Sequence, residues 1–192
     1  RWDRVSLAPN LRVRLLEERR VLNADAAPVQ ALIVNAGAAA GDGHADTFVV
    51  EQHDNQLRIS INGKEVSNTP ISQISTIKIQ GSSDDDILIA EFKSGEPLAG
   101  LNLMFDGKGG KDSLVLNGNA PVNSVAYNFG AGGSDHVAIQ AGSRTAEIGF
   151  TNVEAVNDAL TAQSRSFNIQ SGGQQVTLSD AGTANDDRSQ IE

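Results

Sequence analysis

Four times along this chain a glycine stands five residues before an aspartate, and apolar residues follow that aspartate at the second and fourth positions. The copies run from Gly41 to Asp46 with Phe48 and Val50, from Gly81 to Asp86 with Leu88 and Ala90, from Gly107 to Asp112 with Leu114 and Leu116, and from Gly130 to Asp135 with Val137 and Ile139. Alternation of that kind marks a strand with one buried face, and the glycine-rich stretch ahead of it marks a turn. A unit of strand, turn and strand cannot bury its apolar face alone. Repeated units bury theirs by stacking on one another, so the repeat limits the chain to a small set of β architectures.

The aspartates set the spacing. Asp86 to Asp112 is 26 residues and Asp112 to Asp135 is 23, whereas Asp46 to Asp86 is 40. The long first interval holds a strand from Thr47 to Gln52, a turn over residues 53–56, a strand from Leu57 to Ile61 and then Asn62-Gly63, a strong hairpin signal. A weaker copy follows later with Phe167, Ile169, Gly172, Gly173, Val176 and Leu178, where Gln174 takes the aspartate's place. Between them Ile148, Phe150, Val153 and Val156 form a strand pair around Thr151-Asn152 that suits another coil without the turn motif. The expected fold is mainly β: a right-handed parallel β-solenoid (β-helix) preceded by an antiparallel hairpin and a short N-terminal helix, with a β-sandwich as the alternative. Register separates the two. A solenoid stacks Phe48, Leu88, Leu114 and Val137 in one column, and a sandwich scatters them over two sheets.

The expected domains are a basic arm over residues 1–34, a flexible small-residue linker over 35–45, a β-hairpin cap over 46–73 and solenoid repeats over 74–192. Residues 1–20 hold six arginines against three acids, a charge of +3 within a chain of net charge −9. An acidic body argues against nucleic acid as a partner and suits divalent cations. There is no cysteine, and Asn, Ser, Thr, Asp and Gly are abundant, as in an exported bacterial protein stabilised by repetition rather than disulfides. No apolar run reaches the eighteen or so residues of a membrane span. Residues 29–34 are too short and too interrupted for a cleavable signal.

Two resemblances add to this reading. Leu16-Glu17-Glu18-Arg19-Arg20-Val21-Leu22-Asn23-Ala24 closes a helical stretch over 11–23 and resembles the LEPR-type motif near the N-terminus of very large secreted and surface proteins of Gram-negative bacteria. The glycine-aspartate turns from Gly41 to about Gln140 resemble the hemolysin-type (RTX) repeat, G-G-x-G-x-D-x-U-x. That second resemblance implies Ca²⁺ held by backbone carbonyls and by the carboxylates of Asp46, Asp86, Asp112 and Asp135, with Gly41, Gly81, Gly107, Gly110, Gly130 and Gly133 at the turn positions. The competing reading has each aspartate accept hydrogen bonds from its own turn while each glycine supplies a positive φ. Lys108 stands where the repeat has its second glycine, and with Lys111 it offers a counter-charge to stacked carboxylates.

Nothing in the sequence names a reaction. It has no H-E-x-x-H and no G-x-S-x-G, and His44, His53 and His136 fall in a linker, a turn and an outward strand position. The expected role is therefore a non-enzymatic extracellular structural or adhesive module of a cell-surface or fibre-forming protein. Its expected partners are other copies of itself, further repeats of a longer chain or a surface polysaccharide. The alternative is a secreted polysaccharide-active enzyme using the cluster Asp84-Asp85-Asp86. The solenoid's N-terminal edge has the hairpin and the helix as a cover, whereas the C-terminal edge, from Phe167 to Leu178, is expected to be open.

Overall fold

A computed structural model describes residues 30–36, 42–93, 101–130 and 135–170, together with short backbone strands at 178–180 and 189–191. It is mainly β. A seven-stranded sheet contains β1 (Gln30–Asn35), β5 (Ile74–Gln80), β7 (Asn102–Asp106), β11 (Arg144–Thr151), β10 (Asp135–Ala141), β9 (Val122–Phe129) and β13 (Ala162–Ile169), in that spatial order. An eight-stranded sheet contains β14 (Leu178–Asp180), β15 (Ser189–Ile191), β12 (Ala155–Asp158), β8 (Ser113–Asn117), β6 (Ile87–Glu91), β2 (Thr47–His53), β3 (Gln56–Ile61) and β4 (Lys64–Pro70). We call them sheet A and sheet B.

Between β1 and β12 the chain repeatedly crosses from A to B. β1, β5, β7 and β11 pair in parallel within A, and β2, β6, β8 and β12 pair in parallel within B. Two antiparallel meanders interrupt this alternation, β2–β3–β4 in sheet B and β9–β10–β11 in sheet A. Both sheets are therefore mixed, an arrangement compatible with the β-sandwich alternative and different from a run of purely parallel coils. The first meander is made by its turn. Asn62 and Gly63 have φ of 51° and 76°, the pair of positive values that a two-residue I′ hairpin requires.

The core lies between the sheets. On the inner face of A one row crosses every strand: Leu32, Ile77, Leu103, Ile148, Val137, Tyr127 and Phe167. On the inner face of B the matching row is Phe48, Leu88, Leu114 and Val156. Ile77, Leu88, Leu103, Leu114, Ile148 and Val137 have no exposed surface, and burying each contributes on the order of 2 kcal/mol. The Phe48 and Phe105 rings meet across the gap at 6.3 Å between centroids.

Three of the four residues expected in one column are there, but Val137 is not. It sits in sheet A between Tyr127 and Ile148, and Val156 takes the fourth place in sheet B. The reason is local. The segment around Asp135 has the repeat's pattern, yet β10 pairs antiparallel on both sides, because the turn at Gly142 (φ 60°) sends β11 straight back along it. β1 also falls largely inside the stretch assigned to the basic arm: its alternation of Leu32 and Val34 against the exposed Ile33 gives it one buried face, and among the described residues it lies at an edge of A. The helix over 11–23, and with it the LEPR-like segment, lies outside the described residues. Among the described residues no helix is long and apolar enough to cross a membrane.

Candidate functional site

The repeated aspartates meet at the corner where the chain turns from sheet A into sheet B. Asp46, Asp86 and Asp112 stand directly before β2, β6 and β8, and all three are buried. The backbone N–H of Asp46 donates to Asp86 Oδ1 at 2.8 Å, that of Asp86 to Asp112 Oδ1 at 2.8 Å, and that of Asp112 to Glu154 Oε2 at 2.7 Å. Backbone bonds run beside these: Ile87 N–H reaches Asp46 O, Ser113 N–H reaches Asp86 O and Glu154 N–H reaches Asp112 O. Asp86 and Asp112 thus each satisfy a backbone donor of the preceding level with a side chain, while the N–H of each of the three aspartates is satisfied by the next level. At the first level Asn62 closes the series, donating from Nδ2 to Asp46 Oδ1 at 2.6 Å and accepting the N–H of Thr47.

This arrangement differs from a turn that caps itself. Asp86 does both, since its Oδ2 also accepts the N–H of Ser82 in its own turn at 2.5 Å. Asp112 does not. Lys108, the residue equivalent to Ser82, has φ of 78° and turns its N–H to Asp106 Oδ1, and Asp112 Oδ2 is left buried without a hydrogen-bond partner among the described residues. Burial first, then the nearby charges of Asp86, Glu154 and Asp85, push the Asp112 carboxyl up to about 6, against the pull of the Asp86 N–H.

The glycines have a role the sequence reading assigned differently. A Cβ on Gly81 would lie 2.5 Å from Asp86 Oδ2 and 2.6 Å from the carbonyl oxygen of Gly107, and one on Gly107 would run into Asp112 Oδ2 and the carbonyl oxygen of Asn152. Glycine stands five residues before the aspartate because the carboxylate folds back against its Cα. Of the turn glycines named from the sequence, Gly110 does supply a positive φ, whereas Gly81 and Gly107 do not, and the other positive values at the corners fall on Gly43, Lys108 and Asn152. Two oxygens, one carboxylate and one backbone carbonyl, thus converge on each side-chain-free cradle.

Asp135 stands apart from this ladder. It opens β10 within sheet A, opposite Phe150, and its Oδ1 accepts the N–H of Gly130 at 2.9 Å in its own loop. Glu154 occupies the fourth corner place instead. Lys108 Nζ pairs at 2.6 Å with Asp106 rather than with a ladder carboxylate. Burial works to raise the Asp106 carboxyl, but hydrogen bonds from Lys108 and Asn152 and the Lys108 charge hold it below its ordinary value. Asp84 and Asp85, the remaining acids of the triplet, accept the N–H groups of Gly43 and Lys111. His44 and His53 lie exposed beside Asp42 and Asp54. Among the described residues no three His, Cys, Asp or Glu side chains gather as a group able to hold a metal ion.

A second polar cluster was not foreseen. Tyr127 Oη donates to Asp158 Oδ2 at 2.6 Å, Arg165 Nε donates to the same oxygen at 2.8 Å, and the N–H of Leu160 donates to Asp158 Oδ1 at 2.8 Å. Arg165 also donates to the Leu160 carbonyl, and the Phe167 ring stacks on Tyr127 at 5.0 Å. Burial and the adjacent carboxylate raise the Tyr127 phenol above its ordinary value, and the bond to Asp158 raises Arg165. The cluster ties β9 and β13 of sheet A to the end of β12 in sheet B, and every oxygen of Asp158 is used. Comparison of the chain with protein-family models, with curated proteins and with solved structures gives no match.

Proposed function

We propose that the chain is a non-enzymatic extracellular structural and adhesive module of a bacterial cell-surface or fibre-forming protein. In this reading its parallel levels are solenoid coils into which two meanders have been set. The observation that carries it is the corner ladder. Each level's side-chain acceptor serves the level before it, so the bonding at a corner is completed only when another level is stacked on it, which is the property of a scaffold that grows by repetition. The acids that would serve a polysaccharide-active enzyme, Asp84 and Asp86, are spent on the backbone N–H groups of Gly43, Asp46 and Ser82. The last level of the stack is flanked by β10 in sheet A and, contrary to the expected open C-terminal edge, by β15 in sheet B. The edge that supports partners of the same kind is therefore β13, at the edge of sheet A among the described residues, with Phe167 and Ile169 exposed on its inner face.

Calcium belongs to the same proposal. The residues fit a hard cation in part, since the cradles at Gly81 and Gly107 gather only oxygens and Asp112 Oδ2 lacks a partner. Asp86 and Asp112 would each offer an ion one carboxylate and one carbonyl oxygen at its own cradle, whereas Asp46 and Asp135 would need sites of their own. A bound cation would supply charge neutralisation between stacked carboxylates.

The test pairs two measurements on the same preparation. Incubation with acidic polysaccharides is expected to give no cleavage, and reproducible cleavage lost in Asp84→Ala would overturn the non-enzymatic role. Millimolar Ca²⁺ is expected to raise the unfolding temperature by mass action in wild type and not in Asp112→Asn. An unchanged melting curve would remove the ion and leave a hydrogen-bonding corner.

A further inference from the structure

Away from the corner, the outer face of sheet A carries an open groove of about 350 Å³, at the lower end of the size range of ligand pockets. It crosses four strands. Thr76 of β5, Asn102 and Met104 of β7, Glu147 and Gly149 of β11, and Asp135 and His136 of β10 line it. Register explains the hollow. On this face Met104, Gly149 and His136 are direct neighbours across three adjacent strands, so the middle position of the row has no side chain. A Cβ there would meet the Met104 sulfur at 2.7 Å, so the thioether lies over the glycine and forms an apolar floor, 44% exposed. In the next row Thr76, Asn102 and Glu147 are likewise neighbours, and they supply one polar bank. His136 supplies the other, with the backbone of Asp135, whose carboxylate turns away to the Gly130 N–H.

We propose that this groove binds an amino-sugar unit, a hexosamine with a free ammonium group. The floor offers a small apolar surface for the C–H face of a ring. The banks offer a hydroxyl, a carboxamide, an imidazole and the carboxylate of Glu147, which together bond hydroxyl groups and attract a cation. A chain of net charge −9 disfavours an anionic saccharide at the same place. A basic peptide is the competing ligand, but β5, β7, β11 and β10 are each paired on both sides, so no strand edge is free to add a peptide strand, and recognition must run through side chains. The site gives the adhesive half of the proposed role a ligand and rests on that half only. It is independent of the corner ladder and of calcium.

Met104 is the only methionine in the chain, so a sample labelled in the methionine methyl group gives one resonance at the floor of the groove. Titration of residues 1–192 with a tetramer of glucosamine is expected to shift that resonance saturably. The shift should shrink severalfold in Glu147→Gln and disappear in Gly149→Val, which fills the hollow by displacing only the flexible end of Met104. No shift in wild type overturns the proposal, as does an equal shift with the N-acetylated tetramer or with tetralysine. The scaffold reading would survive any of these results, because it stands on the corner ladder and on the absence of polysaccharide cleavage, not on this signal.

Discussion

Asp86 and Asp112 occupy equivalent places, yet replacing each by asparagine is expected to have different consequences. Both oxygens of Asp86 accept buried N–H groups, from Asp46 at 2.8 Å and from Ser82 at 2.5 Å. In Asp86→Asn one acceptor becomes an NH₂ facing another N–H, so a bond is lost and a buried donor is stranded, at a cost of ~3 kcal/mol. For a chain of this length that lowers the unfolding temperature by roughly 6–12 °C. In Asp112→Asn the oxygen can keep the Asp86 N–H while the NH₂ replaces an Oδ2 that no donor serves, and the change at pH 7 is expected to stay within ~1 kcal/mol. pH sharpens the contrast. The Asp112 carboxyl is raised to about 6 in the folded chain, so between its ordinary value and 6 the folded state holds a proton that the unfolded state has released. That contribution to stability is full at low pH, declines as pH rises to about 6 and is flat above it. Two pH units correspond to ~3 kcal/mol, which screening by solvent at the corner reduces to ~1–2 kcal/mol. Urea unfolding followed by far-UV circular dichroism, without calcium and from pH 4.5 to 7.5, should give a wild-type midpoint that falls relative to Asp112→Asn as pH rises. If Asp112→Asn destabilises at pH 7 as much as Asp86→Asn, or tracks wild type at every pH, the unpartnered Oδ2 is not what the geometry says it is.

Gly107→Ala should destabilise by ~1–3 kcal/mol, because a methyl group there presses on Asp112 and the Asn152 carbonyl; a thermal melt matching wild type would remove the spatial explanation of the repeat's glycine. Gly63→Ala meets nothing within 4 Å but keeps φ at 76°, so a penalty of ~1–2 kcal/mol is expected from backbone strain alone, measurable in the same melts. Asp158→Ala leaves the partly buried Arg165 and the Tyr127 hydroxyl without their acceptor and should cost ~3 kcal/mol, against ~1 kcal/mol for Tyr127→Phe; chemical denaturation showing equal costs would mean the tyrosine rather than the aspartate centres the cluster.

The legible parts of this fold were those decided by neighbours in sequence. Alternation around Phe48, Leu88 and Leu114 marked β2, β6 and β8, and Asn62-Gly63 marked the hairpin, because side-chain direction and turn conformation are set within a few residues. What the sequence hid was decided by pairing. Asp135 carries the same local pattern as Asp112, and only the antiparallel return of β11 removes it from the corner. Glu154 fills the corner without matching the motif, because a longer carboxylate reaches the Asp112 N–H and Asn152, with φ of 52°, makes the turn that glycine-rich stretches make elsewhere. The cluster of Tyr127, Asp158 and Arg165 joins residues 31 and 7 positions apart on three strands, a meeting that no local spacing announces.

The ladder also makes chain length come in quanta. Because Asp86 and Asp112 are 26 residues apart and Gly81 and Gly107 equally so, residues 81–106 amount to one exchangeable level. Their removal would present the Asp112 carboxylate to the Asp46 N–H and Leu114 to Phe48, with donor still facing acceptor and apolar residue facing apolar residue. A deletion one residue longer or shorter would turn a row of core side chains outward and break the corner at once. Genes for such chains would be free to lengthen or shorten by whole levels or by meanders set between them, as β3–β4 and β9–β10 are here, whereas a one-residue shift within a stacked strand would read as a loss of fold.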